Sequence, residues 1–146
     1  MVLLKELNVL VGFGFMNSLS IPNKYLEETI RPIKEDFPLT YKMCWLAKQH
    51  IENEIIVDST TNEVVCVILW EDVDNGLNHF AQIYSIEVNK KWRRGGIGSV
   101  ILQEFMGDKD KICTTRIGRA SHFFLKNGFK IIEDSPKYAY FIKETK

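Results

Sequence analysis

Apolar residues change their spacing several times along this chain. Over residues 7–16 (LNVLVGFGFM) they run almost unbroken, which predicts a first strand. Over residues 23–36 (NKYLEETIRPIKED) they recur at Tyr25, Leu26, Ile30 and Ile33. That spacing predicts an amphipathic helix, kinked or divided at Pro32 and stopped by Pro38. Residues 41–51 (YKMCWLAKQHI) read as a second short helix with Met43, Leu46 and Ala47 turned inward. The texture then becomes β-branched. Residues 54–58 (EIIVD) and 64–70 (VVCVILW) predict two strands, with 59–63 (STTNE) as the hairpin loop between them. Asp74-Asn75-Gly76 is a further turn signal, and residues 79–88 (HFAQIYSIEV) form a third strand. Three successive strands joined by short turns predict an antiparallel meander.

The remainder alternates. A helical pattern begins at Ile97 and runs to about Met106. A strand follows over 111–116, then a helix over 119–127 with Gly128 as its stop. Strands over 129–133 and 138–143 flank Ser135-Pro136. Early helices, a meander and then strand–helix–strand–helix–strand predict an α+β fold: a mixed, mostly antiparallel sheet flanked by helices.

The length of 146 residues favours a single domain spanning residues 1–146 and suffices for a substantial core. Lys plus Arg balance Asp plus Glu at 19 each. A neutral chain has no global field to draw it to nucleic acid or to an anionic membrane, so neither partner is expected. Any anion must be held by a local device. Cys44, Cys66 and Cys113 are odd in number and widely spaced, with no zinc motif, so reduced thiols, no metal and a cytoplasmic location are expected. Residues 7–16 have the length of a signal-peptide core, but Glu6 offsets Lys5 and no clean small-x-small cleavage site follows, which favours the strand.

One stretch carries chemistry. In residues 91–102 (KWRRGGIGSVIL), two arginines and three glycines sit between a strand and an apolar helix. The first amides of a helix have no intrahelical partner and lie at the positive end of its dipole. Glycines let a ligand approach the backbone closely, and arginines add charge-assisted contacts. The loop therefore reads as a pyrophosphate cradle. A P-loop is excluded because no lysine separates Gly98 from Ser99. A dinucleotide fingerprint is excluded because the third glycine and the parallel strand–helix–strand unit are missing. Gly12-Phe13-Gly14 fails the same test.

The pattern Arg-x-x-Gly-x-Gly, as Arg93, Gly96 and Gly98, resembles the acyl-CoA signature of the GNAT superfamily of N-acetyltransferases. Residues 120–129 (ASHFFLKNGF) resemble that family's Ala-x-x-Phe-Tyr-x-x-x-Gly-Phe helix. The resemblance covers residues 79–143, and the N-terminal third fits loosely. It implies a GNAT-like fold and an acetyl-CoA-dependent N-acetyltransferase, in which a primary amine attacks the thioester directly in a ternary complex. It also implies two strands splayed apart around the pantetheine arm, which would bond backbone groups at Ile86, Glu87 and Val88. The diphosphate would fall to Arg93, Arg94, Gly95, Gly96, Ile97, Gly98 and Ser99. Phe124 occupies the cofactor-side position where the family usually has a tyrosine proposed to protonate the leaving thiolate. Phenylalanine has no proton to give, so either the thiolate leaves unaided, or Tyr138, Tyr140, Ser121 or His122 serves, or the chain does not catalyse. The family's asparagine before this helix falls near Ile117, and the carboxylate some members use as base falls at Gln82; Glu87 is the nearest acidic residue on that strand.

The acceptor, a small molecule or a protein amine, is not legible, and homodimerisation is open. Two rival classes stand beside the enzyme: a catalytically inactive GNAT-like module for CoA or a protein partner, favoured by Phe124, and a nucleic-acid domain using residues 90–94. The neutral charge and the lack of a stacking groove speak against the second.

Overall fold

The computed structural model describes residues 7–11, 14–45, 51–74, 76–77, 79–93, 96–107, 112–116, 121–132 and 135–141. They form an eight-stranded mixed sheet with four short helices: β1 (Leu7–Val11), β2 (Gly14–Leu19), α1 (Leu26–Ile30), α2 (Pro38–Lys42), β3 (Glu52–Asp58), β4 (Val64–Asp74), β5 (His79–Val88), α3 (Ile97–Gly107), β6 (Ile112–Arg116), α4 (Ser121–Lys126), β7 (Lys130–Ile132) and β8 (Ser135–Phe141). The spatial order is β1-β2-β3-β4-β5-β6-β8-β7. Among the described residues only β5 and β6 run parallel, and with α3 between them they form the parallel strand–helix–strand unit that the sequence does not reveal. The α+β class and the meander β3–β4–β5 are as expected from the sequence.

The N-terminal run is two strands rather than one. Leu7 pairs with Ser18 and Val11 with Gly14, so the chain reverses within what reads as a single apolar stretch. A run this apolar gives no internal mark of reversal except its glycines. Pro32 divides the first helical segment as expected: α1 gives way to a 3-10 turn over Arg31–Ile33. Pro38, expected to stop a helix, instead opens α2, where its fixed φ suits the first turn and its missing N–H costs nothing. The second helix accordingly begins earlier than Tyr41 and ends at Lys42. Thr40 and Cys44 are buried there and Met43 is half-buried; Leu46 and Ala47 lie outside the described residues. Ser135 and Pro136 belong to β8 rather than to a loop, Pro136 falling beyond the β6 register.

Helices cover both faces of the sheet. On one, Ile97, Ile101, Leu102, Phe105 and Met106 of α3 recur at helical spacing and pack with Phe124 and Phe129 against Cys66, Ile68, Ala81 and Ile83. On the other, Leu26 and Ile30 of α1, with Phe37 and Cys44, pack against Ile55, Val67 and Leu69. Val65 to Leu69 of β4 are fully buried. A strand buried on both faces needs a continuous apolar run, which is what residues 65–69 supply. Each such side chain stabilises the fold by roughly 1.5–3 kcal/mol.

A glycine closes α4. Gly128 has φ of 95°, and the amides of Gly128 and Phe129 donate to the carbonyls of Leu125 and Phe124. This is a Schellman-type end that an L side chain would strain.

Candidate functional site

The parallel pairing of β5 with β6 stops early. It runs from Phe80↔Ile112 to Ile83↔Thr115. Beyond it, among the described residues, Ser85 to Val88 pair only with β4. Among the described residues the two strands therefore part at the C-terminal half of β5, and the backbone of that edge has no strand partner there. A bulge marks the start of this stretch: Leu69 pairs with Ser85 and Trp70 with Ile83, and Tyr84 lies between them. Its hydroxyl donates to Glu71 Oε1 at 2.6 Å.

A cleft of about 460 Å³ opens beside this edge, lined by Leu39, Ile86, Glu87, Val88, Arg93, Gly96, Gly98, Ser99, Phe123 and Lys126. The α3 entrance forms its floor. Val100 N donates to Gly96 O, so the amides of Ile97, Gly98 and Ser99 precede the first intrahelical donor recorded among the described residues. Gly96 adopts φ of 75°, a left-handed turn that a side chain would strain. At Gly98 a Cβ would stand 3.3 Å from Val88 Cγ2 and 3.4 Å from Phe123 Cε1. The missing side chain lets β5, α3 and α4 converge around the amides.

Arg93 Nε donates to Val88 O at 2.9 Å, and its Nη2 stands 4.0 Å from Glu87 Oε2. The turn that delivers it is tied by buried Asn89: Nδ2 donates to Val64 O, Oδ1 accepts from Lys91 N, and its amide donates to Val65 O. Trp92 packs half-buried against the core beneath. The cleft thus gathers Ile86, Val88, Arg93, Gly96, Gly98 and Ser99, all expected from the sequence. Ile97 is wholly buried, so only its backbone is offered. Arg94 and Gly95 lie outside the described residues.

Two expectations change. Phe124 does not line the cleft: it is buried and stacks edge-on with Phe123 and Phe129. One residue is about 100° of helix rotation, and it is Phe123 that faces the cleft. Lys126, three positions on, shares that face and holds its ammonium over the Phe123 ring.

Glu87, the candidate base, is occupied otherwise. Its side chain points away from Ile86 and Val88, as strand alternation requires, into α2. Pro38 has no N–H, and Tyr41 N is bonded to Phe37 O. The two remaining amides of that first turn both go to Glu87: Leu39 N to Oε2 at 3.0 Å and Thr40 N to Oε1 at 2.6 Å. Thr40 Oγ1 adds a third bond at 2.7 Å. This is a capping carboxylate supplied by a distant strand, with three of its hydrogen bonds made to α2 while it still borders the cleft.

The other candidates scatter. Tyr138 stands opposite Arg116 in the β6–β8 ladder, beside the end of β6. Tyr140 lies further along β8, and His122 is exposed on α4. Gln82 pairs between Glu71 and Thr114, before the strands part. Asp72 meets His79 at 2.7 Å and Asp74 accepts from Gly76 N, so the acidic end of β4 is held within its own hairpin. The sequence reading missed Leu39, Phe123, Lys126 and Asn89. Lys126 was legible as the i+3 neighbour of Phe123, and Asn89 as a capping residue after a strand; Leu39 had no local mark.

No family model and no curated protein matches the chain. Solved structures do. Tetrahymena GCN5 aligns with 80% of this chain and 71% of its own at 16% identity and TM-score 0.53. AtaTR, solved with acetyl-CoA, aligns over 86% and 92% at 11% identity and TM-score 0.57. The KacTA–DNA complex aligns over 78% and 79% at 11% identity and TM-score 0.54. The chain has the GNAT acetyltransferase fold. Identities this low carry the fold, and the chemistry must be argued from the cleft itself.

Proposed function

We propose that this chain is an acyl-CoA-dependent N-acyltransferase that takes acetyl-CoA as donor and a primary amine as acceptor. The observation that carries the proposal is the convergence of parted strands with a bare helix entrance in one cleft. The residues present fit the cofactor: amides at Ile97 to Ser99 with no acceptor among the described residues and the cations Arg93 and Lys126 suit a diphosphate, and Leu39, Ile86, Val88 and Phe123 suit an apolar arm. Acetyl-CoA supplies the activated acyl group. The chain holds it in line with an amine, with the unpaired edge of β5 available to polarise the thioester carbonyl. Tyr138 is retained as the candidate proton donor to the departing thiolate. Glu87 is assigned to positioning α2, so the amine's proton leaves by water or another group.

A non-catalytic CoA-binding or protein-interaction module is the second reading. It is favoured by the core position of Phe124 and the commitment of Glu87 to α2. The protein is taken to work in the cytoplasm; among the described residues no helix is long and apolar enough to cross a membrane. Nucleic acid stays open as a partner despite the neutral charge, because KacTA, with the same fold, was solved on DNA.

Titrating acetyl-CoA into the folded protein in a calorimeter tests binding, and release of free thiol with a panel of primary amines tests transfer. Binding with thiol release supports the enzyme. Binding without release across the panel favours the module, and no heat refutes both.

A further inference from the structure

We infer that Asn127 is a positioning residue that turns the Ser99 hydroxyl into a donor aimed at the diphosphate, an inference that rests on the cofactor reading above. Asn127 is a buried polar residue just past the end of α4, 8% exposed. Its backbone amide donates to Phe124 O. Its Nδ2 lies 2.8 Å from Phe123 O and 3.2 Å from Ser99 Oγ. A carbonyl can only accept, so the contact with Phe123 O fixes which side-chain atom is nitrogen. Gln103 Nε2 closes the other side, donating to Asn127 O at 3.2 Å and to Oδ1 at 3.1 Å.

The direction of the Ser99 bond follows. Nδ2 carries two hydrogens, one for Phe123 O and one for Ser99 Oγ. Ser99 therefore accepts in this pair, and its own hydrogen has no acceptor among the described residues. Ser99 lines the cleft at the first turn of α3, beside amides that precede the first intrahelical donor, Val100 N. A hydroxyl held from behind by an amide adds its hydrogen to those amides as one more donor for a phosphate oxygen. α4 thus serves the cleft at three points: Phe123 and Lys126 line it, and Asn127 sets the polarity of a side chain on α3.

A structural clamp alone would not act through Ser99, and this is what the test reads. Affinities for acetyl-CoA and for acetyl-pantetheine, which lacks the diphosphate, are measured for wild type, Ser99→Ala, Asn127→Ala and the double variant. Ser99→Ala should weaken acetyl-CoA about tenfold and Asn127→Ala about fivefold, as expected for loss or misdirection of one charge-assisted bond. In the Ser99→Ala background the Asn127 change should cost less than about twofold, and acetyl-pantetheine should be unaffected throughout. Should Asn127→Ala fail to fold, Asn127→Asp replaces it: a carboxylate keeps the Gln103 bond but accepts the Ser99 proton, and its Ser99-dependent loss should equal or exceed fivefold. Equal losses with and without Ser99, or equal losses for both thioesters, overturn the inference. Wild-type protein that binds neither thioester overturns the acyltransferase reading, and this inference with it.

Discussion

Replacing Glu87 separates a cap from a base. In Glu87→Ala three donors lose their acceptor: Leu39 N, Thr40 N and Thr40 Oγ1. Leu39 is 44% exposed, so water can serve its amide, whereas Thr40 is fully buried. Two buried donors left unpaired cost roughly 1–3 kcal/mol each, so the loss should centre on about 4 kcal/mol. At about 2–4 °C per kcal/mol for a domain near this size, the melting temperature should fall by about 8–16 °C. Glu87→Gln keeps one oxygen for Thr40 and sets an NH2 against Leu39 N. It should cost about 1–2 kcal/mol, from weaker neutral bonds and one donor–donor contact. Removal of a general base would lower turnover by about 10²–10⁴-fold, whereas a cap keeps the rate near wild type below the melting transition. Differential scanning fluorimetry gives the first number, and thiol release with an accepted amine gives the second. A Glu87→Gln protein that melts with wild type and loses turnover at least a hundredfold would refute the capping assignment.

Two further perturbations bear on the cleft and the core. Gly98→Val should weaken acetyl-CoA by about 100-fold or more while Gly98→Ala costs less than about tenfold, because the first added carbon already presses Val88 and Phe123 and two more must enter the cleft; titration calorimetry checks both, and a Val variant within twofold of wild type would contradict the placement. Burial, helped by the Glu27 carboxylate, pushes the Cys44 thiol from 9.0 up to about 11. Native Cys44 should therefore alkylate about 100-fold more slowly at pH 8 than the unfolded chain. Because the folded value is the higher one, the stability this thiol contributes is whole below pH 9.0 and is lost as pH rises through about 11, so Cys44→Val should lessen the alkaline fall in melting temperature.

The helix-entrance half of the cleft was open to a reader of the sequence, because its chemistry is local. A left-handed Gly96, a bare Gly98 and the free amides beyond them lie within a few bonds of one another, and their spacing along the chain is their spacing in space. The strands of the meander and α3 were legible for the same reason, since periods of two and 3.6 are written residue by residue. Phase and partnership were not. Two adjacent phenylalanines look alike until Gly128 folds Phe129 back onto Phe124 and leaves Phe123 to the cleft.

What the sequence by itself determined here is the order of elements from β3 onward and the glycine-rich entrance to α3. Only the tertiary structure decided that residues 7–19 turn back on themselves, that Glu87 caps a helix 47 positions away, and that Asn127 reaches Ser99 across 28. A carboxylate or an amide carries its chemistry in its name, but its role depends on which donors and acceptors packing brings within 3 Å. That choice is made by burial, which has no sequence range.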